Sequence, residues 1–226
     1  MKRIVLLLFG ISLTCLSCRE IVIDEEIYVY ANDFETGDYT GIEGVYISEF
    51  DDSKMMGNFN NGGFSLVLND LPEHDFIRVF FDLYIHDSWE GNTNEIDGEN
   101  LGADLWIMEF DRDERIRPGD KIRFETTFSN GLCVPGWCFS QSYPNEFPFP
   151  NDARLEAKSR STNGRCLWAS SEIGTSIYRI DRVFPHDRTN TTISFYDLLT
   201  QQHGFVPVCD ESWSLDNLGV SVFSTK

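Results

Sequence analysis

The sequence predicts an all-β fold: an antiparallel sandwich or barrel of short strands joined by long loops. Three observations carry the prediction. In residues 76–89 (FIRVFFDLYIHDSW) apolar side chains take every second position, at Ile77, Val79, Phe81, Leu83 and Ile85, as in a strand with one face in a core. Ile122, Phe124, Thr126 and Phe128 alternate in the same way against Lys121, Arg123, Glu125 and Thr127, the pattern of a half-buried strand. No long amphipathic helical pattern is present, residues 151–158 being the best case for a short helix. Short strands separated by turn residues indicate a sandwich or barrel.

Taken in order, residues 19–26 are charged and mixed and read as a tether. A strand is expected from 27 to 34, with a turn at Glu35-Thr36-Gly37-Asp38, and a weaker strand over 41–50. Residues 51–63 are polar and rich in Gly and Asn, which reads as loop. Phe64, Leu66 and Leu68 alternate in a strand closed by Asn69-Asp70-Leu71-Pro72. The strand over 76–89 follows, its outer side carrying Arg78, Asp82, Tyr84 and His86, and an acidic loop spans 90–102. Asp104-Leu105-Trp106-Ile107-Met108 is apolar on both faces, as in a strand buried between layers. Arg117-Pro118-Gly119-Asp120 turns the chain into the strand at 122–128. A loop rich in Pro, Gly and aromatics runs over 129–150, and strands are expected at 176–184, 191–199 and 215–223. In the last of these Leu218, Val220 and Val222 share a face.

The N-terminus reads as a targeting segment. Lys2 and Arg3 precede an apolar run from Ile4 to Leu13, too short to cross a bilayer as a helix and of the length of a signal h-region. It ends in Thr14-Cys15-Leu16-Ser17-Cys18. A small residue before a cysteine resembles a bacterial lipoprotein signal over residues 1–18, which would make Cys18 the acylated first residue of the mature chain. An ordinary secretory signal cut nearby is the alternative. The expected location is extracytoplasmic, at a bacterial outer membrane or cell surface, with the membrane reached through the lipid anchor only.

Removing residues 1–18 takes away two bases and no acids, leaving 16 basic residues against 37 acidic ones. So acidic a chain offers little to neutralise phosphates, which argues against nucleic acid as a partner. It is compatible with Ca²⁺, although most such acids simply solvate a surface. The 18 Phe residues and a 41% hydrophobic content suffice for a real core, and one sandwich domain over 27–226 is within the usual size.

With Cys15 removed and Cys18 acylated, four cysteines remain: Cys133, Cys138, Cys166 and Cys209. An even number outside the cytoplasm suggests disulfides. Cys133 and Cys138 flank the short turn Val134-Pro135-Gly136-Trp137, which favours their pairing and leaves Cys166 with Cys209. A zinc site lacks the paired spacing it needs.

Two constellations carry chemistry. Asp33 and Glu35 lie at the end of the first strand and Asp216 opens the last, on the side of Leu218 and Val220. A carboxylate there is costly unless paired or metal-bound, and hard oxygens from both termini would suit Ca²⁺; a plain turn cap is the alternative. The second group is Asp82, Asp87, Trp89, Asp104, Trp106, Asp210, Glu211 and Trp213, acids and indoles at strand ends. There an indole can stack on a sugar ring while acids accept from hydroxyls, or the indoles can fill the sandwich edge. Trp137, in the loop between Cys133 and Cys138, is the best candidate for an exposed aromatic. The loop over 87–100 holds many acids and amides but does not fit EF-hand spacing.

Phe34-Glu35 near the start and Asp216-Asn217 before a final alternating strand resemble the calcium-stapled jelly-roll of carbohydrate-binding modules with a galactose-binding-like fold. That resemblance implies a jelly-roll-like domain, a structural Ca²⁺ held by Glu35 and Asp216, and a glycan as partner. Gly41-Ile42 stands where that family often has Gly-Trp. Phe81-Asp82-Leu83-Tyr84-Ile85 with Asp87-Ser88-Trp89, Thr126-Thr127-Phe128-Ser129-Asn130, Gln141-Ser142-Tyr143-Pro144 and the segment from Asp210 to Asn217 are similar to a group of secreted, largely uncharacterised β-sandwich proteins. Catalytic signals are weak. There is no G-x-S-x-G, H-E-x-x-H or phosphate loop, and acid pairs of the glycosidase type arise in any acidic sandwich. The expected function is thus a lipid-anchored surface module that binds a glycan or a surface protein through Asp87, Trp89, Trp106, Trp137, Glu211 and Trp213. A structural or adhesive scaffold and a carboxylate-pair glycoside hydrolase are the alternatives.

Overall fold

The computed structural model describes residues 23–92, 95–96, 99–100, 102–111, 121–131, 138–161, 163–165, 173–200 and 207–225. The signal segment with Cys18, the turn at 117–120, Cys133, Trp137 and Cys166 lie outside the described residues.

The fold is an antiparallel all-β sandwich. Its strands are β1 (Ile23–Asn32), β2 (Ile42–Glu43), β3 (Ile47–Phe50), β4 (Ser53–Phe59), β5 (Gly63–Leu68), β6 (Phe76–Asp87), β7 (Glu95–Ile96), β8 (Glu99–Asn100), β9 (Leu105–Phe110), β10 (Arg123–Thr127), β11 (Ser140–Gln141), β12 (Asn151–Asp152), β13 (Ser159–Ser161), β14 (Thr175–Pro185), β15 (Thr191–Leu198) and β16 (Glu211–Thr225). One sheet has seven strands, in the order β13-β14-β6-β16-β4-β3 with β1 also on β16; the other has five, β10-β9-β15-β5-β2.

The alternation read from the sequence is the packing. Ile77, Val79, Phe81, Leu83 and Ile85 of β6 are all fully buried. Beside them Leu215, Leu218, Val220 and Val222 of β16 complete the inner face of the larger sheet, opposite Leu66, Met108, Ile193 and Phe195 of the smaller one. Aromatic pairs join the layers edge to face: Phe81 meets Phe195 at 5.5 Å, and Trp106 meets Trp213 at 5.9 Å. Such pairs add to burial through their quadrupoles.

β16 organises the larger sheet. It pairs with β6 along its length. Its other edge is shared, β4 taking the first part at Trp213, Ser214 and Leu215, and β1 the rest from Leu218 to Thr225. The ladder with β6 is irregular between Asp216 and Gly219, and Asn217 sits at φ 53. The two terminal strands therefore pair, and Asp216 lies at the irregularity in the β16–β6 ladder, just before the residues that β1 joins.

Some elements differ from expectation. β1 begins at Ile23, so part of the expected tether is already strand. The expected loop over 51–63 contains β4, because Asp51 and Asp52 (φ 50 and 65) close a two-residue hairpin to β3 and send Met56 and Phe59 into the core, with Met55 also buried. Both central residues at positive φ is the requirement of a type I′ turn. Residues 151–158 are not helical: Arg154 and Glu156 sit at φ 64 and 61, which reverses the chain.

Candidate functional site

One end of the sandwich collects acids from both sheets. β6 ends at Asp87 and runs into the turn Ser88-Trp89-Glu90-Gly91; Asp104 precedes β9; Glu211 opens β16 opposite Asp87. Gly91 adopts φ +87, and a Cβ there would run into the Ser140 carbonyl oxygen, so the turn requires glycine. It wraps Asp104, whose Oδ2 accepts from the Glu90 N–H at 3.0 Å and the Gly91 N–H at 3.3 Å, while the Asp104 N–H donates to the Gly91 carbonyl. One carboxylate oxygen each from Glu90, Asp104 and Glu211 lies within 4.8 Å of the others.

Glu211 is the unusual member. It is 0% exposed, its backbone carbonyl accepts from Asn60 Nδ2 at 2.8 Å, and neither side-chain oxygen has a hydrogen-bond partner among the described residues. Burial, then Asp104 and Glu90, push its carboxyl up to about 11. A carboxylate with no donor and like charges beside it disfavours its own ionisation in this way. Asp87, also buried, accepts at both oxygens from the Arg165 N–H; burial raises it to about 7 against the opposing pull of Arg165. Asp210 is tied to Ser88, whose hydroxyl donates to Asp210 Oδ1 at 3.0 Å. Across the interior Asp197 of β15 accepts from the Asn61 and Gly62 N–H groups, and burial lifts it to about 6.

The indoles expected as a sugar platform are core. Trp89, Trp106 and Trp213 are each 0% exposed. Trp89 Nε1 donates to the Ser212 carbonyl at 2.9 Å, and Trp106 crosses Trp213 nearly at right angles. Asp87 and Glu211 are equally enclosed. Five of the six expected ligand-binding residues are thus brought to one end of the molecule and buried, the three indoles in the core, where no sugar ring can stack. Trp137 lies outside the described residues. Cys138 and Cys209 are each disulfide-bonded.

Glu35 and Asp216 also converge, on Ser53. The Ser53 hydroxyl lies 2.9 Å from Glu35 Oε1 and 3.4 Å from Asp216 Oδ2, and Glu35 Oε1 accepts the Lys54 N–H as well. Burial, with Asp82 and Glu35 nearby, raises Asp216 to about 6 against the Asn217 N–H bond. Asp33 turns away and caps the Glu35 N–H. Among the described residues one group of three carboxylates lies close enough to share an ion, Glu90, Asp104 and Glu211. No protein-family model matches the chain, and no curated protein matches it.

A feature missed from the sequence lies on the outer face of the larger sheet. A groove of about 470 Å³ runs between the β1 end and the β16 irregularity, lined by Asn32, Asp33, Phe80, Arg179, Asn217 and Gly219 among others. Phe80 packs edge-on against Tyr28 at 6.1 Å, with the Arg179 guanidinium 5.1 Å from its ring centre. Arg179 pairs with Asp82 at 3.3 Å, and Asn217 Nδ2 donates to the same carboxylate at 3.0 Å. Phe80 was legible in principle. It is an apolar residue on a strand face that otherwise carries Arg78, Asp82, Tyr84 and His86.

Proposed function

We propose that the protein is an extracytoplasmic, lipid-anchored binding module of jelly-roll type that takes a glycan in the groove beside Phe80. The observation that carries the reading is the groove's lining: one aromatic ring set among amide, carboxylate and guanidinium groups from β1, β6, β14 and β16. Sugar sites combine an apolar ring face with a few oriented polar groups. The disulfides at Cys138 and Cys209 support an oxidising compartment, as do Lys2, Arg3, the apolar run and Cys18 in the leader. A non-catalytic role is supported by the enclosure of Asp87, Asp104 and Glu211, since a glycosidic oxygen has to reach both members of a catalytic pair.

The test is calorimetric titration of the protein with glycan fragments, repeated on Phe80→Ala and Gly219→Ala. A Cβ on Gly219 would collide with the Phe80 ring and push it out of place. Saturable binding that weakens at least tenfold in both variants is expected. Binding of the same strength in both variants would move the ligand elsewhere. No binding by the wild type to any fragment would leave the scaffold role.

A further inference from the structure

We propose that Glu90, Asp104 and Glu211 form a binding site for a hard divalent cation, with Ca²⁺ the ion the geometry suits. The site is separate from the terminal pair Glu35 and Asp216 and independent of the glycan reading.

Both oxygens of Glu211 are buried without a hydrogen-bond donor among the described residues, and the residue is wholly enclosed. A buried carboxyl in that state is costly unless it is protonated or finds a cation. The oxygens that approach it belong to two further carboxylates, Glu90 and Asp104. A lone Glu could stay neutral beside apolar neighbours; three acids converging from separate segments make a cation the economical solution.

The donor set selects the ion. All three donors are carboxylate oxygens, which suits hard cations and not the thiolate and imidazole preferences of zinc or copper. Carboxylate oxygens that all lie within 4.8 Å of one another can share one cation with bonds of about 2.3–2.6 Å. Ca²⁺ suits a partly preformed set of this kind because it accepts irregular coordination, whereas Mg²⁺ demands a near-ideal octahedron.

Placement gives the ion a role. Glu211 begins the central strand of the larger sheet, Asp104 leads into β9 of the smaller one, and Glu90 belongs to the turn that leaves β6. A cation here ties the two sheets together at one end. Asp104 is already oriented by the Glu90 and Gly91 N–H groups, so part of the site is preformed.

The test measures thermal unfolding of the purified protein in excess Ca²⁺, in excess Mg²⁺ and in chelator, for wild type, Glu211→Gln and Glu35→Gln. At about 100 times the dissociation constant, the expected rise in midpoint for a domain of this size is roughly 5–10 °C. The rise should survive in Glu35→Gln and vanish in Glu211→Gln. Because no group among the described residues hydrogen-bonds the Glu211 carboxylate, that variant should fold in chelator at least as well as the wild type. A shift that persists in Glu211→Gln overturns the proposal, as does a shift lost in Glu35→Gln alone. Absence of any shift in the wild type also overturns it, and means that protons hold the cluster. A second measurement does not depend on variants folding. Tb³⁺ replaces Ca²⁺ and emits when a nearby indole is excited. Trp106 and Trp213 stand two residues beyond Asp104 and Glu211. Saturable, indole-sensitised emission displaced by Ca²⁺ is expected from the wild type; its absence would refute the site.

Discussion

Replacing Gln141 by Leu removes five hydrogen bonds from the interior while nearly conserving volume. Gln141 is fully buried in β11. Its Oε1 accepts from the Arg154 N–H at 2.8 Å, the Tyr178 hydroxyl at 3.1 Å and the Ser129 N–H at 3.2 Å. Its Nε2 donates to the Tyr143 and Leu155 carbonyls, both at 3.1 Å. The side chain thereby joins the end of the β10 segment, the hairpin of β11 and β12, and β14. In the Leu variant two backbone N–H groups, one phenol and two carbonyls lose this partner. An orphaned buried polar group costs about 1–3 kcal/mol. With partial relief by water and rearrangement, a loss of about 3–5 kcal/mol is expected, a large share of a typical stability of about 5–15 kcal/mol. Tyr178→Phe removes a single donor, leaves Oε1 two others, and should cost about 1 kcal/mol. Urea denaturation with unchanged m reads both values. A Leu variant within about 1 kcal/mol of wild type would refute the view that this amide holds the loop in place.

Asp87→Asn keeps an acceptor for the Arg165 N–H and tolerates the φ of 64 found there, since Asn readily adopts the left-handed region. The folded carboxyl is raised to about 7, above its unfolded value near 3.9, so ionisation costs stability as pH climbs from about 4 to 7. The Asn variant should gain on the wild type across that window in paired urea titrations, and a difference independent of pH would refute the shift. Burial holds the His86 imidazole well below its ordinary value, with Nδ1 3.0 Å from Thr175 Oγ1 and Nε2 3.0 Å from Ser214 Oγ. Its contribution is present above about pH 6.5 and is lost as pH falls below that. NMR should find this ring neutral at pH 5.5, and titration near 6.5 would contradict the assignment. Gly63→Ala would drive a Cβ into the Phe195 carbonyl oxygen on β15, with a cost at the upper end of the ~1–3 kcal/mol typical of overpacking. An unfolding midpoint unchanged by that substitution would show that the β5–β15 approach is looser than described.

The strands were legible wherever one face meets the core. β5, β6, β10, β14, β15 and β16 follow alternation or apolar runs, because burial on one side imposes a period of two on the side chains. β4 was not legible. Lys54-Met55-Met56-Gly57-Asn58-Phe59 lacks that alternation, and Met55 and Met56 are both buried in succession. Its existence rests on the Asp51-Asp52 turn, whose positive φ values propensity alone does not announce. Nor could residues 151–158 be separated from a short helix by pattern. The decision there belongs to tertiary contacts, the Arg154 guanidinium donating to the Asn130 and Ile173 carbonyls.

The site residues were legible by location and not by direction, and the strand period explains why. Asp104 stands two before Trp106, and Glu211 two before Trp213. Side chains two apart on a strand leave the same face, so within β16 Glu211 takes whichever side Trp213 takes, while Asp104, just ahead of β9, is oriented by the Glu90 and Gly91 N–H groups. Indoles on the outside would have given a stacking platform edged by carboxylates. Inside, the indoles close the space between the sheets, and the acids follow them to its mouth. The sequence holds both outcomes equally until the sheets are paired. Pairing decides it, because Trp213 sits opposite Ile85 on β6, whose face is fixed inward by five apolar residues in alternation. The same pairing sets Phe80, on the opposite face of β6, over Gly219 of β16. The core of β6 thus fixes both candidate sites at once: with Trp213 turned inward, Glu211 follows it, and Phe80 is left on the outer face of the sheet.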